Sequence, residues 1–221
     1  MPPSDPAGNM PRLAAVVPMK PPRESKSRLS DELTEDERIS LSMNLLRIVL
    51  AATSASNLGR VLVLGGDADV QQLAKDAGAE WTADGDRGLN EELSAAFDDL
   101  ASNGWSSMYI PADLPMITPE DIDSAITASR DGRLLAMCPA ARDGGTNGLI
   151  IPSDSDFRPA LGRDSFARHR KAALTAGLPF ATCDALGFSI DLDTIDDLLA
   201  CERIEPGFRE RMLTNRGDKT P

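Results

Sequence analysis

The chain has 221 residues, of which 41% are hydrophobic and 26% charged, and its formal net charge is -12. That length supports one sizeable hydrophobic core, so we expect a single domain rather than two small ones. The negative charge argues against a general nucleic-acid or membrane-surface binder, because both of those surfaces are anionic and would repel the protein.

The first half of the chain alternates short apolar runs with amphipathic segments. An apolar run without polar alternation predicts a central strand, and a capping box before a periodic apolar pattern predicts a helix. In chain order we predict a strand at 13–18, a helix running from Thr34 towards Ala55, a strand at 60–64, a helix at 67–77, a strand at 80–82 and a helix at 89–100. Residues 1–11 are rich in Pro, Ser, Gly and Asn, so we expect a flexible N-terminal tail.

The second half continues the alternation. We predict a strand at 107–111, a helix from Thr118, strands at 134–138 and 149–151 around a polar turn at 142–147, a basic helix at 165–176, a strand ending at Asp191 and Asp193, and a helix at 194–204. This order predicts an α/β fold, with one doubly wound, mostly parallel sheet formed by residues 12–205 and a site at the carboxyl ends of its strands. Residues 206–221 are expected to form a C-terminal extension with a flexible end.

The residue types restrict the available chemistry. Cys138, Cys183 and Cys201 form no CxxC pair, so we expect buried free thiols rather than disulfides or a structural zinc site. His169 is the one histidine, so the chemistry must rely on carboxylates and cations. No stretch approaches the roughly 20 apolar residues that span a bilayer, and the opening lacks a basic segment before an apolar run, so we expect a cytoplasmic protein.

Acidic residues follow two of the predicted strands. Asp113 lies in the turn Ala112-Asp113-Leu114-Pro115, and Asp191 and Asp193 precede a Thr-capped helix. Strand ends of an α/β sheet are where ligands bind, and carboxylates are ligands that Mg²⁺ prefers. The pattern therefore predicts a magnesium site. The alternative is that Asp113 is a turn residue and that the other two only favour a helix N-terminus.

A basic loop follows the first strand, where nucleotide-binding α/β proteins hold phosphates. It contains Lys20, Arg23, Lys26 and Arg28 and lacks the glycines of a dinucleotide fingerprint. Side-chain cations would therefore bind a polyphosphate in place of backbone amides. The alternative is a solvated basic loop.

Two further groups of residues are candidates for ligand contacts. Gly65 and Gly66 end the second strand, and Asn90 carries donors and acceptors that could read a purine edge, although the glycines also fit an ordinary turn. Gly162 and Ser165 stand at a helix N-terminus, which attracts an anion, with Arg163, Arg168 and Arg170 nearby. The alternative there is a simple N-cap and a solvated helix face, and His169 as a general base is favoured less than either.

Short motifs follow one another along the chain in a fixed order. They are Pro18-Met19-Lys20, Lys26-Ser27-Arg28-Leu29, Gly88-Leu89-Asn90, Ala112-Asp113-Leu114-Pro115, Gly145-Thr146-Asn147, Gly162-x-x-Ser165 with Arg168-His169, and Asp191-x-Asp193-Thr194. Together they resemble the 2-phospho-L-lactate or phosphoenolpyruvate guanylyltransferases of coenzyme F-420 biosynthesis. The last three motifs carry most of the specificity, because wider nucleotidyltransferases share the Asp-Leu-Pro turn. Pro-Met-Lys-Pro-Pro replaces the glycine-rich first loop of the superfamily.

The resemblance implies a Rossmann-like nucleotidyltransferase fold, with GTP as donor, Mg²⁺ as cofactor and a small phosphorylated acid as acceptor. It implies metal ligation by Asp113, Asp191 and Asp193, and a catalytic set made of Asp113, Lys20, Lys26 and Arg28. The other implied roles are triphosphate contacts for Lys20, Lys26 and Arg28, nucleotide contacts for Gly65, Gly66 and Asn90, and acceptor contacts for Thr146, Asn147, Gly162, Ser165, Arg168 and His169.

The implied reaction moves GMP from GTP to the phosphate of the acid and releases pyrophosphate. Phosphoenolpyruvate is the favoured acid, and 2-phospho-L-lactate and 3-phospho-D-glycerate stay open. Two other readings also stay open: a nucleotidyltransferase acting on a sugar phosphate or a molybdopterin-like acceptor, and a non-catalytic nucleotide-binding regulator. The sequence does not fix the oligomeric state, and a homodimer is one option.

Overall fold

A computed structural model describes residues 12–214 of the chain. The tail predicted at 1–11 and the end of the extension at 215–221 lie outside the described residues. One sheet of seven strands runs in the order β3-β2-β1-β4-β6-β5-β7, and β6 alone runs against its neighbours. The strands are β1 Leu13–Pro18, β2 Arg60–Leu64, β3 Glu80–Thr82, β4 Ser106–Tyr109, β5 Leu135–Pro139, β6 Thr146–Ile151 and β7 Phe180–Thr182. This architecture confirms the predicted single-domain α/β fold with a mostly parallel sheet.

Helices cover both faces of the sheet. Three of them begin with a capping box, in which a threonine side chain and an acidic side chain three residues later satisfy each other's backbone amides: Thr34 with Glu37, Thr118 with Asp121, and Thr194 with Asp197. The helices are α1 Glu35–Ala55, α2 Ala68–Asp76, α3 Leu89–Ser102, α4 Pro119–Ala128, α5 Ser165–Thr175, α6 Ile195–Ile204 and α7 Phe208–Leu213. No helix between residues 12 and 214 is long and apolar enough to cross a membrane.

Strand β1 lies at the centre of the core. Its residues Leu13, Ala15 and Val17 face a cluster that includes side chains of α1 and α4. Ala14 and Val16 face the opposite cluster, which includes side chains of α3 and α5. Burial on both faces explains why this strand shows no polar alternation. The three cysteines are free and buried, as predicted.

Two predicted elements near the site are wrong. The segment before Asp191 is not a strand: a short 3-10 turn covers Leu186–Phe188, and the position beside β5 is taken by β7, which the sequence analysis did not predict. The backbone N–H of Leu192 instead donates to the carbonyl of Asp113, so this segment is tied to the end of β4. The predicted polar turn is also shorter, because Thr146 and Asn147 already belong to β6.

The chain beyond residue 205 contributes a packed helix. In α7, Phe208 and Met212 are buried against leucines of the β1–α1 loop, α1 and α6. Asn44 of α1 fixes the end of this helix, because its side-chain amide donates to the carbonyl of Met212 at 2.8 Å. At least part of the predicted extension therefore belongs to the core.

Replacing Phe208 with alanine should destabilise the whole domain. The side chain is fully buried, and removing a phenylalanine from a packed core typically costs about 3–5 kcal/mol of unfolding free energy. Urea unfolding of Phe208→Ala measures this cost, and Leu186→Ala, which changes a side chain of 83% exposure, is the control. A Phe208→Ala protein as stable as the control would show that α7 is not part of the folding unit.

Candidate active site

A cleft of about 730 Å³ opens at the carboxyl ends of three neighbouring parallel strands, β1, β2 and β4. The loop between β1 and α1 forms one wall and contributes Lys20 and Lys26. Residues 84–92 form another wall, and Asp113 and Asp193 line the floor between them. This space is called the first cleft below. It lies at the sheet edge where ligands bind in open α/β proteins.

A second cleft, also of about 730 Å³, shares Asp193 with the first. Three arginines line it, from three different loops: Arg28 after β1, Arg142 between β5 and β6, and Arg163 before α5. Gly162 also contributes to its wall. Guanidinium groups present planar, forked donors, so this cleft is suited to a phosphate or a carboxylate.

The ammonium of Lys26 lies where the two clefts meet. Its Nζ is 2.7 Å from Oδ2 of Asp113 and 3.1 Å from Oδ1 of Asp193. The side chain is only 6% exposed. Burial lowers the pKa of Lys26, but the two carboxylates outweigh burial and the pKa is raised overall, so the group stays a cation. Its backbone is left-handed, with φ of 54°, a strained conformation for a residue other than glycine.

Two arginines pair with the acidic group, which is formed by Asp113, Asp191, Asp193 and Asp197. Arg142 lies 2.7 Å from Asp197, 3.3 Å from Asp191 and 3.5 Å from Asp193, and Arg28 lies 3.2 Å from Asp193. Burial, followed by the charges of Asp113 and Asp193, raises the pKa of Asp191. Burial alone would also raise the pKa of Asp193, but Lys26 and the arginines lower it overall. The predicted residues Lys26, Arg28, Asp113, Asp191 and Asp193 therefore converge.

The donor chemistry of these carboxylates suits magnesium. Asp113 shares the Lys26 ammonium with Asp193, which also pairs with Arg28 and Arg142. The nearby charge of Asp113 helps to raise the pKa of Asp191, so an added cation would be favoured beside these two carboxylates. Among residues 12–214, no group of three or more carboxylate, histidine or cysteine side chains is arranged to hold a metal ion. Mg²⁺ usually takes one or two carboxylates together with substrate phosphates, which does not require a preformed three-ligand site.

A buried chain of hydrogen bonds joins three predicted acceptor-binding residues. The hydroxyl of Ser165 donates to Thr146 Oγ1 at 3.0 Å, and Thr146 Oγ1 lies 3.0 Å from His169 Nδ1. His169 Nε2 accepts the N–H of Ala160 at 2.8 Å, so the neutral ring carries its proton on Nδ1 and donates to Thr146. Burial, and then Arg168, lower the pKa of His169 to about 4.

Ser165, Thr146 and His169 bond to one another in this chain, so their proposed contacts with the acceptor acid stay predictions. Ser165 is fully buried, and its N–H donates to the carbonyl of Gly162. Asn147 of β6 reaches the acidic group instead: its amide donates to the carbonyl of Phe188 at 2.9 Å and to Asp191 Oδ1 at 3.4 Å. The contacts shown by the structure are internal ones, and of the predicted acceptor residues only Gly162 lines the second cleft.

The predicted nucleotide contacts Gly65, Gly66 and Asn90 do not line either cleft. The N–H of Gly65 donates to Thr82, and its carbonyl accepts from Trp81 Nε1. Both glycines have positive φ, and an added Cβ would lie 2.7 Å from the carbonyl of Met19 or 2.6 Å from Val70. Close packing therefore explains why glycine is needed at positions 65 and 66. A contact of Gly65, Gly66 or Asn90 with the base stays a prediction.

Two site residues were missed by the sequence analysis. Arg142 stood in a segment interpreted as a turn, and the signal available was a cation between the end of β5 and the start of β6. Glu92 shapes the wall of the first cleft: its carboxylate accepts the N–H groups of Gly85 and Arg87 at 2.8 and 3.0 Å. Hydrogen bonds from Arg87 lower the pKa of Glu92 to about 2. No local pattern revealed this loop.

Comparison with solved structures shows the fold. A Desulfovibrio desulfuricans G20 protein assigned as a nucleotide-diphospho-sugar transferase superposes with a TM-score of 0.73 at 19% identity, covering 91% of this chain and 92% of its own. A nucleotidyl transferase from Methanothermobacter thermautotroptrophicus gives a TM-score of 0.61 at 16% identity, covering 90% and 98%. These likenesses show that the chain shares the fold of both proteins.

Sequence comparison is more specific. A phosphoenolpyruvate guanylyltransferase of Sphaerobacter thermophilus is 37% identical over 186 residues, which is 83% of this chain and 89% of that protein. A 2-phospho-L-lactate guanylyltransferase of Methanocaldococcus fervens is 29% identical over 187 residues, 84% and 83% of the two chains. The family described as "Guanylyl transferase CofC like" matches residues 13–202. The chain therefore belongs to the CofC-like guanylyl transferase family.

Proposed function

We propose that this protein transfers GMP from GTP to the phosphate of a three-carbon phosphorylated acid and releases pyrophosphate. The observation that carries the proposal is the pair of clefts that share Asp193 and meet at Lys26. A transferase must hold donor and acceptor side by side, with the reacting atoms close together. The names of the curated relatives supply the identity of the transferred group.

The first cleft is the donor site in this proposal. Lys20 and Lys26 project from the loop after β1, where they offset the charge of a triphosphate. Residues 84–92 stand at the other wall and face the nucleoside. Guanine is the proposed base.

The second cleft is the acceptor site. Its three arginines, Arg28, Arg142 and Arg163, stand beside Asp143, Asp164 and Asp193, and their forked donors suit an acceptor with two anionic groups, a phosphate and a carboxylate. Arg28, which the resemblance placed at the triphosphate, lines this cleft and not the first, so this proposal assigns it to the acceptor. A sugar phosphate would bring one phosphate and an uncharged polyol, so the arginines favour an acid over that alternative. Phosphoenolpyruvate is the preferred acid, because the bacterial relatives at 32–37% identity carry that name. The product would enter coenzyme F-420 biosynthesis.

The proposed reaction needs no side-chain nucleophile. An oxygen of the acceptor phosphate attacks the α-phosphorus in line and forms the new P–O bond, while the α–β bridge breaks and pyrophosphate leaves with the electron pair. Lys26 stays protonated and stabilises the charge that develops between the clefts. Asp113, with Asp191 or Asp193, would hold Mg²⁺, which when bound offsets negative charge on the phosphates.

Turnover should require GTP and a phosphorylated acid together. The purified chain is offered GTP or ATP with phosphoenolpyruvate, 2-phospho-L-lactate, 3-phospho-D-glycerate or a sugar phosphate, and products are identified by mass spectrometry. We expect a GMP diphosphodiester of an acid and pyrophosphate, with ATP a poor donor. Equal efficiency with ATP, or a sugar product, would replace the proposal with another nucleotidyltransferase, and GTP binding without pyrophosphate release would indicate a regulator.

Asp113→Asn should reduce turnover on the order of a hundredfold or more, because it removes one of the two charges that hold Lys26 and a proposed metal ligand. Asp131→Asn is the matched control: Asp131 is exposed and pairs with Arg133, and asparagine tolerates its positive φ. Steady-state pyrophosphate release compares the two proteins. Comparable rates would remove Asp113 from the catalytic group.

Arg142→Ala should raise the KM for the acid by roughly ten- to hundredfold, the effect of losing a hydrogen bond to a charged group, with little change in the KM for GTP. Arg142→Lys keeps the charge without the forked geometry, so its KM should fall between those of the other two proteins. Kinetics with each substrate varied in turn give both constants. A loss confined to GTP would place Arg142 on the donor side and contradict the proposed cleft assignment.

A further inference from the structure

Three side chains hold one irregular stretch of backbone beside the second cleft. His169 accepts the N–H of Ala160 at 2.8 Å, and Arg168 donates to the carbonyl of Ala160 at 2.9 Å and to that of Arg163. Asn90 completes the set: its Oδ1 accepts the N–H of Leu161 at 2.7 Å, and its Nδ2 donates to the carbonyl of Leu161 at 3.3 Å.

These bonds replace the regular hydrogen bonds that residues 160–163 lack. The stretch belongs to no helix or strand, so beside the backbone bond from the Ser165 N–H to the Gly162 carbonyl its peptide groups need side-chain or solvent partners. It leads directly into Gly162 and Arg163, which line the second cleft. The position of the cleft wall therefore depends on the three side chains, which the sequence analysis had assigned to direct ligand contacts.

Asn90 differs from the other two because it belongs to α3, whose first turn lies at the first cleft. It is the second residue of α3, and its neighbours Gly88, Leu89 and Glu92 all line the first cleft. Arg168 and His169, in contrast, belong to α5 on the acceptor side. A single carboxamide thus joins the wall of one cleft to the wall of the other, across 71 positions of sequence.

We propose that Asn90 is a positioning residue that couples the two clefts, so that a nucleotide held against the start of α3 further stabilises, through Asn90, the observed position of residues 160–163 and strengthens acceptor binding. The inference rests on the proposed function, which assigns the nucleotide to the first cleft and the acid to the second. Coupling of this kind is reciprocal, so the acid strengthens nucleotide binding by the same factor.

The test measures binding without turnover. Isothermal titration calorimetry gives the Kd of phosphoenolpyruvate for the full chain in MgCl₂, with and without a saturating α,β-methylene analogue of GTP, whose bridge cannot be cleaved. For the wild type we expect the analogue to tighten phosphoenolpyruvate binding by about 5–150-fold, the usual range of coupling between sites. In Asn90→Ala this factor should fall to within about twofold of unity, whatever the Kd of the analogue alone, because the factor compares two Kd values of phosphoenolpyruvate in the same variant.

Asn103→Ala is the matched control. Asn103 caps the other end of α3, where its side chain donates to the carbonyl of Asp99, so its loss should leave the coupling factor unchanged. If Asn90→Ala does not fold, Asn90→Asp carries the test, because the carboxylate keeps the bond to the Leu161 N–H but repels the Leu161 carbonyl. Its coupling factor must also fall.

The results separate the inference from the proposed function. A wild-type coupling factor near unity with normal binding of both ligands, or a wild-type factor in Asn90→Ala, would overturn the coupling role alone. Failure of the wild-type chain to bind either ligand would overturn the proposed function, and the inference with it.

Discussion

One buried cation holds the site together. Lys26 comes from the loop after β1, Asp113 follows β4 and Asp193 precedes α6, and the single ammonium joins all three segments. Removing one partner of a buried ion pair typically costs about 3–5 kcal/mol, because the remaining charge is left uncompensated. The same contact places a positive charge at the meeting point of both clefts, so the group that orders the site also attracts the phosphates proposed to react there.

The parts of the fold that could be predicted from the sequence are those determined by contacts between residues close together in the chain. The apolar run at 13–18 and the capping box at Thr34 determine structure through contacts within a few residues, and both elements have the predicted bounds at those positions. Strand β7 is three residues long and pairs with β5 alone, and it was not predicted, although the equally short edge strand β3 was. The segment at Asp191 ends an apolar stretch with acids, as a strand end does, yet its position is set by the distant carbonyl of Asp113.

In the site, too, some residues could be predicted from the local sequence and others depend on distant contacts. Asp113 and Lys26 could be predicted at one edge of the sheet because each follows a predicted strand, and the structure brings them together. Asp193 joins them although the strand predicted before it is absent, because the Leu192 N–H bonds to the Asp113 carbonyl. The partners of Asn90 could not be predicted, since a carboxamide suits a base, a phosphate or a peptide group equally well. Asn90 bonds to Leu161 because the irregular segment at 160–163 lies beside the start of α3, and no local sequence pattern predicts that position.

The most direct measurement of the central claim is a crystal structure with the α,β-methylene analogue of GTP and phosphoenolpyruvate bound together. The account predicts the nucleoside in the first cleft, the α-phosphate beside Lys26, and the acid in the second cleft between Arg28, Arg142 and Arg163. Both ligands in one cleft, or an α-phosphate placed away from Lys26, would contradict it.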